Sequence, residues 1–418
     1  MAGWLVPRGD LTNDQARAVE MAPDRNRVFA GGPGSGKTLV LLHRARHLAD
    51  TLGVRPGRFL VLVYTNALTA YLRAAVAELG LPADCARTYD DWCAEHWERF
   101  VAGPKPHRSD GAPAFDAIRH GVRREVLRSG RRRPLYDFVL VDEGQDLDAD
   151  AFDVLARVSA HVTVAFDPRQ RIYDRGASES ELLAALGLFS CSVTLLESFR
   201  FSPHVAGLAA RLLPDAAGRE AFLRQVRTTA AGREKPLVYL ARDDADEADR
   251  LALLARARLL RGERVAVLLP TRGAVLRVAR DLCARGVPVE TPRPPGEGEG
   301  PFPPLDFSSD LVKVMPFHGA KGLTFDSVFL PHLVGQDLRA WNEASLRRLL
   351  FVGLTRASSW VCLFLREDEP LPLFAGTGLV SGTPEAVVQR AADAPVAQAA
   401  ANAPVPVTVA ADELTGWL

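Results

Sequence analysis

Apolar positions in this chain follow two alternating periods. Short runs that are apolar at nearly every position, such as FLVLV and FVLV, alternate with longer stretches in which apolar residues recur every three or four positions. The first pattern fits strands buried on both faces, and the second fits amphipathic helices. The runs predict strands at 27–30, 59–64, 138–141, 162–166 and 193–196, and again at 236–240, 265–269, 311–315, 328–330 and 360–364. Helices are expected at 37–49, 68–79, 245–260, 272–285 and 343–354. This alternation indicates an α/β fold with parallel sheets, and the length fits two of them. The expected units are residues 1–198, with an insertion at about 87–135, and residues 199–375, followed by a flexible Ala/Pro-rich tail at 376–418 that ends in DELTGWL. The stretch 291–304, TPRPPGEGEGPFPP, breaks the pattern, because its prolines and glycines suit neither a helix nor a central strand.

Composition narrows the choice of partner. The 51 basic and 51 acidic residues of the 418 balance, so nucleic-acid binding by net charge alone is excluded and any basic groove must be local. One such run is RHGVRREVLRSGRRR at 119–133, where seven arginines meet one glutamate. Cys85, Cys93 and His96 stand close in sequence but lack a fourth ligand for zinc, so buried thiols are the expectation. The amino-terminal residues do not read as a signal peptide, and no apolar run approaches the ~20 residues that span a bilayer. A cytoplasmic protein without membrane contact is expected.

The chemistry concentrates at strand ends. Residues 31–38, GGPGSGKT, follow one expected strand and open an expected helix. A glycine-rich turn there aims several backbone N–H groups at one anion, and the helix N-terminus adds positive potential. Gly31, Gly32, Pro33, Gly34, Ser35 and Gly36 form the cradle, Lys37 supplies a point charge, and the Thr38 hydroxyl can ligate Mg2+. Downstream, YDFVLVDEGQD ends a strand in acids, with Asp142 placed to hold Mg2+ and Glu143 to polarise an attacking water.

With these strings in place, the chain resembles the superfamily 1A DNA helicases of the UvrD/Rep/PcrA type. LTNDQARAV resembles the motif whose glutamine, Gln15, reads the adenine edge. VYTNALTAYL resembles a single-strand DNA contact through Thr65 and Asn66, and TYDDW, with Thr88 and Tyr89, resembles a second one. FDPRQRIY carries Gln170, which links the γ-phosphate to the DNA groove, and Tyr173, a candidate base-stacking platform. ESFRFSP carries Arg200, which reaches the γ-phosphate, beside Phe199 at the base. FHGAKGLTFDSVFL, with His318 at DNA and Gly322 at the nucleotide, and LRRLLFVGLTRA, ending in the arginine finger Arg356, resemble the last two motifs. The resemblance implies two RecA-like domains that close on ATP and Mg2+. It further implies ATP-dependent translocation or unwinding on single-stranded or 3′-tailed DNA in the 3′–5′ direction.

The departures follow a pattern. Residues for phosphate and metal are all present, whereas those for base, ribose and DNA are altered. Leu39 stands where relatives carry an adenine-stacking arginine, Phe199 replaces a tyrosine, Thr324 replaces a ribose-binding glutamate, and Asp90 stands for a histidine. The subdomain that relatives insert before their HxAKG string is reduced here to the Pro/Gly stretch and a few further residues. A second reading follows from this: an ATPase switch, activated by DNA or a partner, in a larger repair or defence complex with little unwinding of its own, its tail contacting another protein.

Overall fold

The computed structural model describes residues 5–109, 111–167, 176–195, 202–226, 234–292, 302–307, 309–338, 341–367, 373–374 and 384–393. The first half of the chain contributes the strands β1 (Arg27–Gly31), β2 (Phe59–Val63), β3 (Ala86–Thr88), β4 (Phe138–Val141), β5 (Val162–Phe166) and β6 (Val193–Leu195). They form one parallel sheet in the order β3-β2-β4-β5-β1-β6. Its helices are α1 (Asn13–Glu20), α2 (Lys37–Leu52), α3 (Asn66–Glu78), α4 (Tyr89–Phe100), α5 (Phe115–Ser129), α6 (Ala149–Val158) and α7 (Glu179–Ala185). Every residue of β2, β4 and β5 is buried, as a sheet covered on both faces requires.

The second half supplies the helices α8 (Pro203–Ala210), α9 (Ala216–Gln225), α10 (Asp244–Leu259), α11 (Arg272–Ala284), α12 (Gly335–Leu338) and α13 (Glu343–Leu354). Its strands are β7 (Leu237–Ala241), β8 (Val265–Leu269), β9 (Val289–Glu290), β10 (Val312–Pro316), β11 (Phe325–Leu330), β12 (Ala357–Arg366) and β13 (Val387–Arg390). These pair in parallel in the order β13-β7-β12-β11-β8-β10-β9. One apolar cluster joins the two sheets, running from Val40 and Leu68 to Phe317, Leu323 and Leu350.

Two expectations differ from the fold. Ala86–Thr88 is an edge strand, and α4 buries Tyr89, Trp92, Cys93 and Trp97 in the core cluster that also contains β4 and β5 residues, so the region from 87 onward is not simply an insertion on the first sheet. The chemical reason is that aromatic residues spaced along α4 cover a sheet face that would otherwise meet water. Within the expected tail, Val387–Arg390 pairs with β7 as an edge strand. It was hidden because an edge strand packs on one side only, and Val387 remains half exposed. Residues 394–418, including DELTGWL, lie outside the described residues.

The short link before β10 has its own anchor. The buried Glu290 carboxylate pairs with Lys313 at 2.8 Å and accepts from Asp306 N at 2.7 Å and Ser309 Oγ at 2.6 Å. The link then reaches the first sheet's layer, where Phe307 packs edge-on against Tyr71 of α3 at 5.2 Å.

A buried arginine ties α1 to the first sheet. Arg44 of α2 is fully buried and donates to the carbonyls of Val19 at 2.9 Å and Met21 at 2.7 Å, and to Thr163 Oγ1 at 2.9 Å. Burial lowers its guanidinium to about 10. Its other amine meets His161 Nε2 at 3.1 Å; burial, with Arg44 beside it, lowers that imidazole to about 4 and keeps it a neutral acceptor. Arg44→Met strands several buried acceptors at once and should cost at least about 3 kcal/mol in urea unfolding. A loss below about 1 kcal/mol would mean that water replaces the guanidinium.

Candidate nucleotide site between the two sheets

The carboxyl ends of three neighbouring strands, β4, β5 and β1, carry the polar groups of the site. After β1 the chain turns through Gly34 (φ 75°) and Gly36 (φ 82°) into α2. Gly36 has two constraints: the left-handed backbone, and Gln15 Nε2 lying 2.6 Å from where a Cβ would stand. Lys37, buried, donates to the carbonyls of Gly31 at 3.0 Å and Gly32 at 3.1 Å and to Asp167 Oδ2, beyond β5, at 3.2 Å. Thr38 donates from its hydroxyl to Asp142 Oδ2, beyond β4, at 2.7 Å. Ser35 Oγ is buried and has no hydrogen-bond partner among the described residues.

Asp142 and Glu143 are adjacent carboxylates whose environments push them apart. Burial, with Glu143 beside it, lifts Asp142 to about 6. Burial also pushes Glu143 upward, but Lys321, Lys37 and Arg356 together outweigh it, and the net shift is downward. Glu143 holds a left-handed backbone (φ 52°), rare for a residue with a side chain, and its carboxylate accepts from Gln145 Nε2. Gln145 Oε1 in turn accepts from Asp167 N at 2.9 Å.

The second sheet presents the amino ends of β11 and β12 to this array. Gly34, Gly36, Lys37, Thr38 and Glu143 line one pocket with Gly322, Thr324, Thr355 and Arg356. Arg356 is buried, its guanidinium donating to the carbonyls of Val352 at 3.1 Å and Leu323 at 3.3 Å. Lys321, also buried, bonds both oxygens of Asp146 at 2.5 and 2.7 Å. Burial lifts the Asp146 carboxyl to about 7 even beside that ammonium. Gly322 (φ 78°) makes the approach feasible, because a Cβ there would fall 2.8 Å from Leu68 Cδ2 of α3.

The sequence-predicted residues thus separate into groups. Lys37, Thr38, Asp142, Glu143, Gly322 and Arg356 converge, with Gly31, Gly32, Pro33, Gly34, Ser35 and Gly36 forming the loop beneath them. Gln15 lies behind that loop: Nε2 donates to Ser35 O at 2.9 Å while Oε1 accepts from Thr12 N at 3.0 Å. Leu39 is buried within α2. Thr65 and Thr88 cap α3 and α4 with their hydroxyls, and Asn66 opens α3. Tyr89, expected at a DNA-contact motif, is buried and stacks on Trp92 at 5.6 Å. His318 lies in the turn Phe317–Ala320, where burial and then Arg272 lower its imidazole. Gln170, Tyr173, Phe199 and Arg200 lie outside the described residues.

Sequence reasoning missed Lys321, Asp146, Gln145 and Asp167. Lys321 was the legible one, as one of only five lysines and part of a quoted motif. The arginine run is also less open than it reads. Arg119 bonds Asp90 twice, at 2.6 and 2.9 Å, Arg123 pairs with Asp150 at 3.0 Å, and Arg131 pairs with Glu125 at 2.6 Å. Arg124, Arg128, Arg132 and Arg133 remain exposed.

A glycine-rich cradle at a helix N-terminus, a lysine and a strand-end aspartate, facing an arginine from a second parallel sheet, define a P-loop nucleotide site of the two-domain RecA-like class. Comparison with known proteins adds similarities. Residues 11–99 match the UvrD/REP helicase N-terminal domain and residues 311–364 the UvrD-like helicase C-terminal domain, so each sheet carries a segment similar to a UvrD-type helicase. The ATP-dependent DNA helicase PcrA of Leuconostoc citreum is 42% identical over 162 residues, 38% of this chain and 20% of that protein. DNA helicase II of Escherichia coli is 34% identical over 70 residues, 17% of this chain and 10% of that protein. The putative ATP-dependent DNA helicase R568 of Acanthamoeba polyphaga mimivirus is 22% identical over 285 residues, 62% and 40% of the two chains. The aligned part is therefore less than half the length of each of these relatives. Among the described residues, no helix is long and apolar enough to cross a membrane.

The Lys321–Asp146 pair gives a direct test of how the sheets are joined. Lys321→Met strips the buried Asp146 carboxyl of its cation and of the hydrogen bonds to both oxygens, and should destabilise by about 3 kcal/mol in urea unfolding. Adding Asp146→Leu should recover most of that loss, because the stranded polar group is gone. Additive losses in the double variant would contradict the pairing.

Proposed function

We propose that this chain is an ATP-driven motor that acts on single-stranded DNA, and that the pocket between its sheets is where ATP is hydrolysed. One observation carries the reading: Arg356 of the second sheet lines the same pocket as Lys37, Thr38 and Glu143 of the first. The residues suit a nucleoside triphosphate and Mg2+. Ser35 Oγ is a buried hydroxyl inside the cradle with no partner among the described residues, and Thr38 and Asp142 offer hard oxygens side by side. When bound, Mg2+ neutralises charge on the phosphates.

The chain's own groups do the rest. Lys37 holds the terminal phosphates. Glu143, kept ionised by the surrounding cations, accepts a proton from the attacking water. Arg356 stabilises charge on the transferred phosphoryl group only while the second sheet is seated against the first. Hydrolysis thereby alternates the grip of the two domains on a strand, and stepping in the 3′–5′ direction follows by similarity to the helicases named above. Arg200 and Gln170 are proposed to contact the γ-phosphate, Gln15 and Phe199 the base, and Thr65, Asn66, Tyr173 and His318 the DNA.

A second reading has specific support. The link between β9 and β10 is short, is tied down by Glu290, and packs on α3 instead of carrying a subdomain. Opening a duplex costs ~1.4 kcal/mol per base-pair step, and a compact motor has little with which to hold the fork. Weak unwinding with strand-stimulated ATPase activity is thus expected, as in a switch subunit of a larger complex.

The reading is tested by ATPase rates without nucleic acid and with single-stranded DNA, duplex DNA and RNA; single-stranded DNA should stimulate most. Lys37→Ala should abolish turnover, and Glu143→Gln should bind ATP but lower its hydrolysis ~10²–10⁴-fold, to a residual rate readable in single turnovers. Arg356→Ala should lower turnover ~10³-fold with a much smaller change in ATP affinity. Normal hydrolysis by Arg356→Ala would remove the two-sheet site. On a forked duplex with a 3′ tail, under single-turnover conditions, the isolated chain should unwind weakly; processive unwinding would contradict the compact-motor reading.

A further inference from the structure

Glu143 is held by a side chain whose role none of the motif readings covers. Gln145 is fully buried, and its carboxamide bonds at both ends. Nε2 donates to Glu143 Oε2, and Oε1 accepts from Asp167 N at 2.9 Å. The Asp167 side chain grips Lys37 Nζ at 3.2 Å. A continuous buried path therefore joins the phosphate-cradle lysine to the carboxylate that faces the pocket from the neighbouring strand end.

The turn that carries Gln145 has little room to move. A Cβ on Gly144 would lie 2.3 Å from Val164 Cγ1 of β5, and one on Gly176 would lie 1.9 Å from the Gln145 carbonyl oxygen. The backbone of Gln145 is thus pinned against β5 and the Gly176 strand of chain, so its carboxamide is a fixed donor. Glu143, by contrast, has three side-chain torsions and sits on a strained backbone. Without an external hold, its carboxylate would sample several orientations in the pocket.

We propose that Gln145 is a positioning residue that aims the Glu143 carboxylate into the pocket and links its orientation, through Asp167, to the grip on Lys37. The proposal rests on the reading of Glu143 as general base. Such a base contributes ~10²–10⁴-fold to rate, and a displacement of about 1 Å can forfeit ~10²-fold. The cost of losing Gln145 should therefore fall on turnover and not on ATP binding.

The test uses the full chain with saturating single-stranded DNA. Gln145→Met, close in volume but with neither donor nor acceptor, should lower kcat ~10²-fold while KM for ATP stays near the wild-type value. Gln145→Asn keeps an uncharged carboxamide but is one methylene too short to reach Glu143 from the same backbone; it guards against a folding defect and should lower kcat similarly with thermal unfolding near that of the wild type. The decisive arm places Gln145→Met in the Glu143→Gln background, read by single-turnover hydrolysis. A residue acting through Glu143 adds no further loss there. An equal fractional loss in both backgrounds, or kcat within twofold of wild type in both single variants, overturns the proposal. A fully active Glu143→Gln removes the general-base reading itself, and the proposal with it, and is distinguished by appearing without any Gln145 substitution.

Discussion

Buried charge governs how the two sheets meet. The side chains of Lys37, Asp142, Glu143, Asp146, Asp167, Lys321 and Arg356 all lie around one cleft with almost no exposure. An unpaired ion in such a place costs several kcal/mol, so each must find a partner or a solvated path. Lys37 finds Asp167 within the first sheet, but Asp146 finds Lys321 only across the cleft. That bond closes only if the connection after β10 reaches the end of β4. The glycine beside Lys321 then lets the backbone press against Leu68. The seating of the sheets, and with it the position of Arg356, follows from that requirement.

The parallel topology makes this arrangement possible. Because β4, β5 and β1 are neighbours, the residues after each of their carboxyl ends fall within hydrogen-bond distance although far apart in sequence. Thr38 and Asp142 meet over this short span, as do Lys37 and Asp167. The second sheet supplies the opposite polarity: loops at the amino ends of β11 and β12 face the cleft. In the proposed reaction the cradle and base would belong to one support and the inserted cation to the other, and relative motion of the two would switch it.

Much of this was legible in the sequence, for identifiable reasons. Central strands are apolar nearly throughout because they are covered on both faces, so most of their positions could be read within a residue or two, whereas β11 and β12 each begin three residues before their apolar runs. The cradle was legible because a glycine-rich turn followed by Lys-Thr has few other uses at a strand–helix junction. Arg356 was reached through family resemblance alone; no local pattern sets it apart among so many arginines. The edge strands β3, β9 and β13 escaped because they are only three, two and four residues long. The burial of Tyr89 was not settled by its motif, because an aromatic residue in a DNA-contact string reads the same whether it faces solvent or core. Gln145 and Asp146 were passed over because their partners, Asp167 and Lys321, are distant in sequence. The arginine run suggested an open basic face, but Asp90, Asp150 and Glu125 neutralise part of it through contacts that only the packing of α4, α5 and α6 creates.

The central claim is that one phosphate site is shared by two sheets. It is tested most directly by a crystal structure of the full chain with Mg2+ and a transition-state mimic of ATP. The account predicts the γ-phosphate mimic between Lys37 and Arg356, with Glu143 on the side of the attacking water and Thr38 and Asp142 at the metal. A nucleotide bound to the first sheet, with Arg356 still turned to the carbonyls of Val352 and Leu323 and out of reach of the phosphates, would contradict it.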